Sequence, residues 1–149
     1  MGRKKKQGLD SFPLEARFFS DRRTRMLVAA HGPAGALAYL YILSSAYKNG
    51  GWVRCDSDFV DSMVIALDMF PDETESVIAD LIRRGLLSRP LFERQGILSS
   101  RGIQRRFQRN MKPLHREVSV PRRLWLLPPE ETEAHIKLKD RDNRKEKEL

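Results

Sequence analysis

Leu86–Leu87–Ser88–Arg89–Pro90–Leu91–Phe92–Glu93–Arg94–Gln95–Gly96–Ile97–Leu98 is the stretch on which the reading of the fold turns. Two short apolar runs, Leu86–Ser88 and Ile97–Leu98, flank a polar connection, which is the pattern of a β-hairpin. Its tip is long, and Pro90 to Gly96 has the length to close a helical turn. Immediately upstream, Pro71 and Asp72 open a helix in which Val77, Ile78, Leu81 and Ile82 form the buried stripe. Asp72, Glu73 and Glu75 suit the positive end of that helix, Arg83 and Arg84 suit its other end, and Gly85 terminates it. Downstream, Ser99 or Ser100 caps a last helix, about Arg101 to Met111.

Further upstream, Ser20 is placed to cap a first helix, about Asp21 to His31, with Met26, Leu27 and Ala30 as its apolar face. Gly32 ends it, and Pro33 opens a second helix running to about Lys48. That helix carries Leu37, Leu40, Tyr41, Leu43, Ala46 and Tyr47 nearly all round, so it is expected to be the central element. Asn49–Gly50–Gly51 stops it, Trp52–Val53–Arg54 reads as a short strand, and Asp56 caps a third helix containing Phe59, Val60, Met63, Val64 and Leu67. Leu9, Phe12, Leu14, Phe18 and Phe19 read as anchors pinning the start of the chain to the core.

The order is helix, helix, strand, helix, helix, hairpin, helix. It predicts a mainly α fold with a small β-sheet, the winged helix-turn-helix. The expected organisation is a basic mobile arm over 1–8, the winged-helix domain over 9–112, a docking tail with a Trp motif over 113–136, and a charged disordered end over 137–149.

With 149 residues, the chain is the size of one ordinary domain. Its net charge of +8 points to a polyanionic partner, nucleic acid before membrane or acidic protein. A single cysteine, Cys55, allows no intrachain disulfide, and the basic start is not followed by an apolar run. No apolar stretch is long enough for a bilayer. The expectation is a soluble, cytoplasmic protein with no membrane association.

Several motifs resemble those of a known family: Gly2–Arg3–Lys4–Lys5–Lys6–Gln7–Gly8–Leu9–Asp10, Phe12–Pro13–Leu14, Gly32–Pro33, Tyr47–Lys48–Asn49–Gly50 and Leu91 through Gln104. Trp125–Leu126–Leu127 followed by Glu130–Glu131–Thr132 resembles a segment found after that family's domain. Over roughly residues 1 to 135 the chain is similar to phage and prophage proteins with a DnaD-like N-terminal winged-helix domain, of the type first noted in Listeria prophages. The resemblance implies a role in phage replication initiation, with DNA binding, self-association, and contact with a replicative helicase or other replication proteins. Nothing after the tail corresponds to a second DnaD-type domain, so complete helicase loading is not expected of this chain.

Catalytic chemistry finds no support. His31, His115 and His135 are far apart, no Cys or His stands at metal-ligand spacing, and Gly32–Pro33–Ala34–Gly35 lacks the length and the Lys-Ser/Thr ending of a phosphate loop. No enzyme, metal or cofactor is expected. Binding is better supported. Arg101, Arg105, Arg106, Arg109 and Lys112 lie on the last helix, with no acidic residue from Ser99 through Arg116. Ile103 and Phe107 give that helix an inner face, which leaves the arginines outward for phosphate contacts. Arg89 and Arg94 on the hairpin serve DNA or, alternatively, only solubility. Arg3, Lys4, Lys5 and Lys6 add salt-dependent contacts or form a plain tail. Arg22, Arg23 and Arg25 read as a solvated helix face.

The fourth helix is acidic in its first turns, where a major-groove reader offers Arg, Lys, Asn or Gln. The expected partner is therefore DNA, duplex or single-stranded, gripped by its phosphates with weak sequence selectivity. The rival is a winged-helix oligomerisation adaptor. Cys55 reads as a partly buried filler and Trp52 as core. Leu124, Trp125, Leu126 and Leu127 form an apolar run in a polar tail, flanked by Pro121 and Pro128–Pro129. Exposed, it is costly, so it docks on its own domain or engages a partner or second copy.

Overall fold

A computed structural model describes residues 7–140; the Arg3–Lys6 block and residues 141–149 lie outside the described residues. The chain is mainly helical with two small sheets. Its order is α1 (Arg22–His31), α2 (Pro33–Lys48), β1 (Val53–Arg54), α3 (Ser57–Leu67), α4 (Pro71–Arg83), α5 (Arg89–Gln95), β2 (Ile97–Leu98), α6 (Arg101–Met111), β3 (Val118–Pro121) and β4 (Ile136–Lys139). Short 3-10 turns stand at Lys112–Leu114, Arg122–Leu124 and Pro129–Glu131.

α2 is central because it is apolar on nearly every side. Ala38, Ile42 and Ala46 are fully buried, and α1, α3, α4 and α6 all pack on it. α1 differs from the sequence expectation in two ways. Its cap is Asp21, whose carboxylate accepts from the Arg23 amide at 2.9 Å, and not Ser20. Thr24 and Leu27 face inward, while Met26 is exposed. Of the expected anchors, Leu9 and Phe18 are buried and Phe12 is half-buried, but Leu14 and Phe19 are exposed.

The expected hairpin is replaced by a different pairing. Ile97 and Leu98 pair antiparallel with Arg54 and Val53, so the first sheet joins β1 to β2. Leu86–Ser88 is not a strand; one bond, from the Ser88 amide to the Ser99 carbonyl at 2.8 Å, ties it alongside β2. The connection is the helix α5, capped by the Ser88 hydroxyl and ended by Gly96 in the left-handed region. The Ser88 cap and Pro90 in the first turn are helix-start signals, and they override the strand reading of the flanking apolar pairs.

Both ends of the described chain close onto this body. Leu9 donates to the Tyr47 carbonyl at 2.9 Å, and a side chain at Gly8 would drive a Cβ to 1.9 Å from the Lys48 carbonyl oxygen. Gln7 accepts from the Ser119 amide, so residues 7 and 8, expected in a mobile arm, are fixed. β3 and β4 pair in parallel, Val118 opposite Ile136 through Pro121 opposite Lys139, and the charged end thus contributes strand residues from 137 to 139. Between them Leu124, Trp125 and Leu127 are buried against this chain's own residues, and the Trp125 indole donates to Thr132 at 2.8 Å.

The tail is joined to the helices by Gln104, which has no exposed surface. Its amide nitrogen donates to Ser99 Oγ at 3.1 Å and to the Leu124 carbonyl at 2.9 Å, and its oxygen accepts from the Leu126 amide at 2.6 Å. Ser99 Oγ in turn donates to the Gly51 carbonyl at 2.6 Å. A second polar lock ties α1 to α4. The buried Asp80 carboxylate is met by His31 Nε2 at 3.0 Å and by Arg84 Nε at 2.8 Å, and it also accepts from Arg83. Burial alone raises the Asp80 pKa, but the Arg84, His31 and Arg83 contacts outweigh it and hold the carboxyl below its ordinary value of 3.8.

Two outcomes follow for stability. Gln104→Ala strands the Leu124 carbonyl and the Leu126 amide, so it should cost about 2–3 kcal/mol and lower Tm by about 5–10 °C in a thermal melt. Asp80 contributes fully above pH 3.8, and its contribution is lost as pH falls through its lowered folded value. Asp80→Asn should therefore destabilise by about 2 kcal/mol at neutral pH. The gap to wild type should narrow in melts carried below pH 4; a gap constant down to pH 2 contradicts the assignment.

Candidate nucleic-acid interface

α6 is the most strongly two-faced helix of the chain. Ser100 caps it, accepting from the Ile103 amide at 3.1 Å, and Ile103, Gln104, Phe107, Gln108 and Met111 are buried. Four-residue spacing then puts Arg101, Arg105 and Arg109 in one exposed row, with Lys112 a little beyond. Among the described residues, Arg101 and Arg109 have no carboxylate within ion-pair distance.

Arg106 is the exception to the expected outward row. It is turned inward, donates from Nε to the Tyr47 hydroxyl at 2.7 Å, and lies 3.8 Å from the Glu15 carboxylate. Burial raises the Tyr47 pKa, so the phenol stays protonated beside the guanidinium. Arg106 serves the core edge, and its chain is held too firmly to be a free phosphate ligand.

The acid-free run from Ser99 through Arg116 also proves less isolated than its sequence. Glu131 reaches Arg105 at 3.2 Å and Glu133 reaches Lys112 at 3.4 Å. Gln108 fixes this acidic segment along α6, donating to the Glu131 carbonyl at 2.8 Å and accepting from the Glu133 amide at 3.1 Å. These carboxylates come from more than 20 positions away, so no local window of sequence could reveal them.

The other expected cations are dispersed. On α5, Arg89 is 3.9 Å from Glu93 one turn on, while Arg94 is exposed without an ion pair among the described residues. Lys4 and its neighbours Arg3, Lys5 and Lys6 are outside the described residues. One cation the sequence reading set aside joins the group: Arg23 lines, with Arg101, Arg105 and Arg106, a groove of about 510 Å³ whose walls include Tyr39, Ser88, Ser100 and Leu126. Arg23 also donates to the Gly85 carbonyl at 3.5 Å. Helical periodicity alone could not bring a residue of α1 to the first turn of α6.

Leu124, Trp125 and Leu127 have at most 8% of their surface exposed and Leu126 is half-buried, so this run offers little to an outside partner while the tail is docked. Cys55 is half-buried, and burial pushes its thiol up to about 11, which leaves it protonated and unreactive at neutral pH. No group of three His, Cys, Asp or Glu side chains that could hold a metal occurs among the described residues. No helix among them is long and apolar enough to cross a membrane.

The chain is 25% identical over 107 residues to an uncharacterised phage-related protein, Lin1244/Lin1753, of Listeria innocua serovar 6a. The aligned part is 72% of this chain and 35% of that relative, so the chain spans about a third of its length. No solved structure matches. The family model described as Lin1244/Lin1753-like, N-terminal matches residues 12–103, from the strap before α1 to the first turn of α6, a narrower span than the resemblance over 1 to 135. The chain belongs to the Lin1244/Lin1753-like N-terminal family.

Proposed function

We propose that this protein is a non-catalytic, phage-related DNA-binding module that acts as an accessory in replication initiation of a phage or mobile element. It grips DNA by its phosphates and selects sequence weakly. The observation that carries this reading is the exposed row of Arg101, Arg105 and Arg109 along α6, with Arg23 across the adjoining groove. Guanidinium groups spaced one helical turn apart suit successive phosphates and carry no base information.

The architecture suits a winged helix with a modified wing. β1, α3, α4 and β2 follow in the order that fold requires, Ser88 is bonded to Ser99 on the side where a winged helix has a third strand, and α5 stands in for the hairpin tip. α4 takes the place of the reading helix, but its exposed Asp72 and Glu75 repel phosphates, and this favours contact through α6 instead. The same acidic surface supports a second reading, a winged-helix adaptor in a replication complex.

Fluorescence anisotropy with a labelled duplex and a labelled single strand, titrated across salt, tests the proposal. Wild type should bind either or both with a steep salt dependence. Replacing Arg101 and Arg109 with Ala should lower the slope of log K against log salt by about 2 and weaken all sequences alike. Absence of binding at low ionic strength, or an unchanged slope in the variant, overturns the α6 assignment.

A further inference from the structure

From Cys55 to Ile82 the chain has eight carboxylates and no Lys or Arg. Asp80 is consumed by His31, Arg83 and Arg84, and Asp56 caps α3 by accepting from the Phe59 amide. Asp58, Asp61, Asp68, Asp72, Glu73 and Glu75 have no ion pair among the described residues. Ordinary solvated helices interleave both signs, because like charges on one face repel.

Helical spacing sorts these groups. Asp58, Asp61, Ile65 and Asp68 stand at i, i+3, i+7 and i+10, one face of α3 and its cap, and all are exposed. Ile65 is 81% exposed and Phe70, in the turn to α4, is 80% exposed. Two large apolar side chains held out in water inside an acidic field mark a surface made to be covered.

The chain carries the complement of that face. On α1, Arg22, Arg25, Met26 and Ala29 stand at i, i+3, i+4 and i+7, all exposed, and Phe19 just ahead of the helix is 61% exposed. Arg22 and Arg25 have no ion pair among the described residues. One stripe offers carboxylates on both sides of an isoleucine with a phenylalanine at its end, and the other offers two guanidinium groups between a phenylalanine and a methionine.

We propose that the α3 stripe of one copy docks on the α1 stripe of a second copy. With the helices antiparallel, Ile65 and Phe70 pack against Met26 and Phe19, and Asp58, Asp61 and Asp68 face Arg22 and Arg25. Because the two faces differ, the contact is heterologous: each joined pair leaves one stripe of either kind open, and further copies add head to tail. Arg101, Arg105 and Arg109 are on neither stripe. This inference stands on the two stripes and does not depend on the DNA reading.

Sedimentation velocity and light scattering on the whole chain, without DNA, test it over a wide concentration range at low and high salt. The mass should climb above the 17.3 kDa of one copy as concentration rises, and fall back in 0.5 M salt. Asp58→Arg with Asp61→Arg should abolish the rise, as should Arg22→Glu with Arg25→Glu in a separate variant. Mixing the two variants should restore a complex, and Ile65→Ser with Phe70→Ser should remove association with no rescue. Circular dichroism melts of every variant check that the fold persists. A single-copy mass at all concentrations overturns the proposal, and so does association that survives both charge reversals or a mixture that fails to reassociate.

Discussion

One buried amide holds the protein together as a unit. Gln104 stands on the inner face of α6, touches Ser99 at the end of the first sheet, and binds the backbone of the tail at two points. Through Ser99 the same network reaches Gly51, where the chain turns from α2 toward β1. Gly51 has a φ of +95°, and a side chain there would meet the Phe107 ring at 3.2 Å. Removing a polar group of this kind from water is costly unless every donor and acceptor is met. Here each of them is, and the tail therefore has one position in which Leu124, Trp125 and Leu127 can be buried. That burial is worth on the order of several kcal/mol gross.

The fixed tail has consequences for charge. It lays Glu131 and Glu133 along α6, next to Arg105 and Lys112, so the helix with the densest cations also carries internal counterions. Exposed pairs of this kind contribute little to stability. Their effect is on the field: they trim the positive potential around Arg105 and Lys112 and leave Arg101 and Arg109 without an ion pair among the described residues. The family match ends at Ile103, so most of this helix and all of the tail lie outside the matched span.

Much of the helical framework was legible in the sequence because its signals are local. Pro33, Asp56, Pro71 and the Ser99–Ser100 pair mark helix starts by their own chemistry, and the starts of α2, α3, α4 and α6 follow from them within a residue or two. What was not legible depends on partners distant in the chain. Ile97–Leu98 pairs with Val53–Arg54 across more than 40 positions, so the apolar pair Leu86–Leu87 was mistaken for its nearest strand. Arg106 was read as outward because nothing near it in sequence announces Tyr47. The parallel pairing of β3 with β4 had no turn signal at all, since its strands are joined by a crossover of 3-10 turns. Among the candidate site residues, the α6 row was visible from spacing, whereas Arg23 entered only through the packing of α1.

The sorting of charge gives the molecule an electrical orientation. Eight carboxylates and no Lys or Arg stand from Cys55 to Ile82, with only Asp80 of them in an ion pair among the described residues, and from Arg83 to Arg123 the only acidic residues are Glu93 and Glu117. A body charged in this way carries a permanent dipole as well as its net +8. In the field of a polyanion the net charge supplies attraction and the dipole supplies torque. Such a torque turns the cation-rich segments toward the polyanion and the carboxylate-rich segment away from it. Toward any polyanion, charge segregation of this kind acts on the rate of encounter before a contact forms.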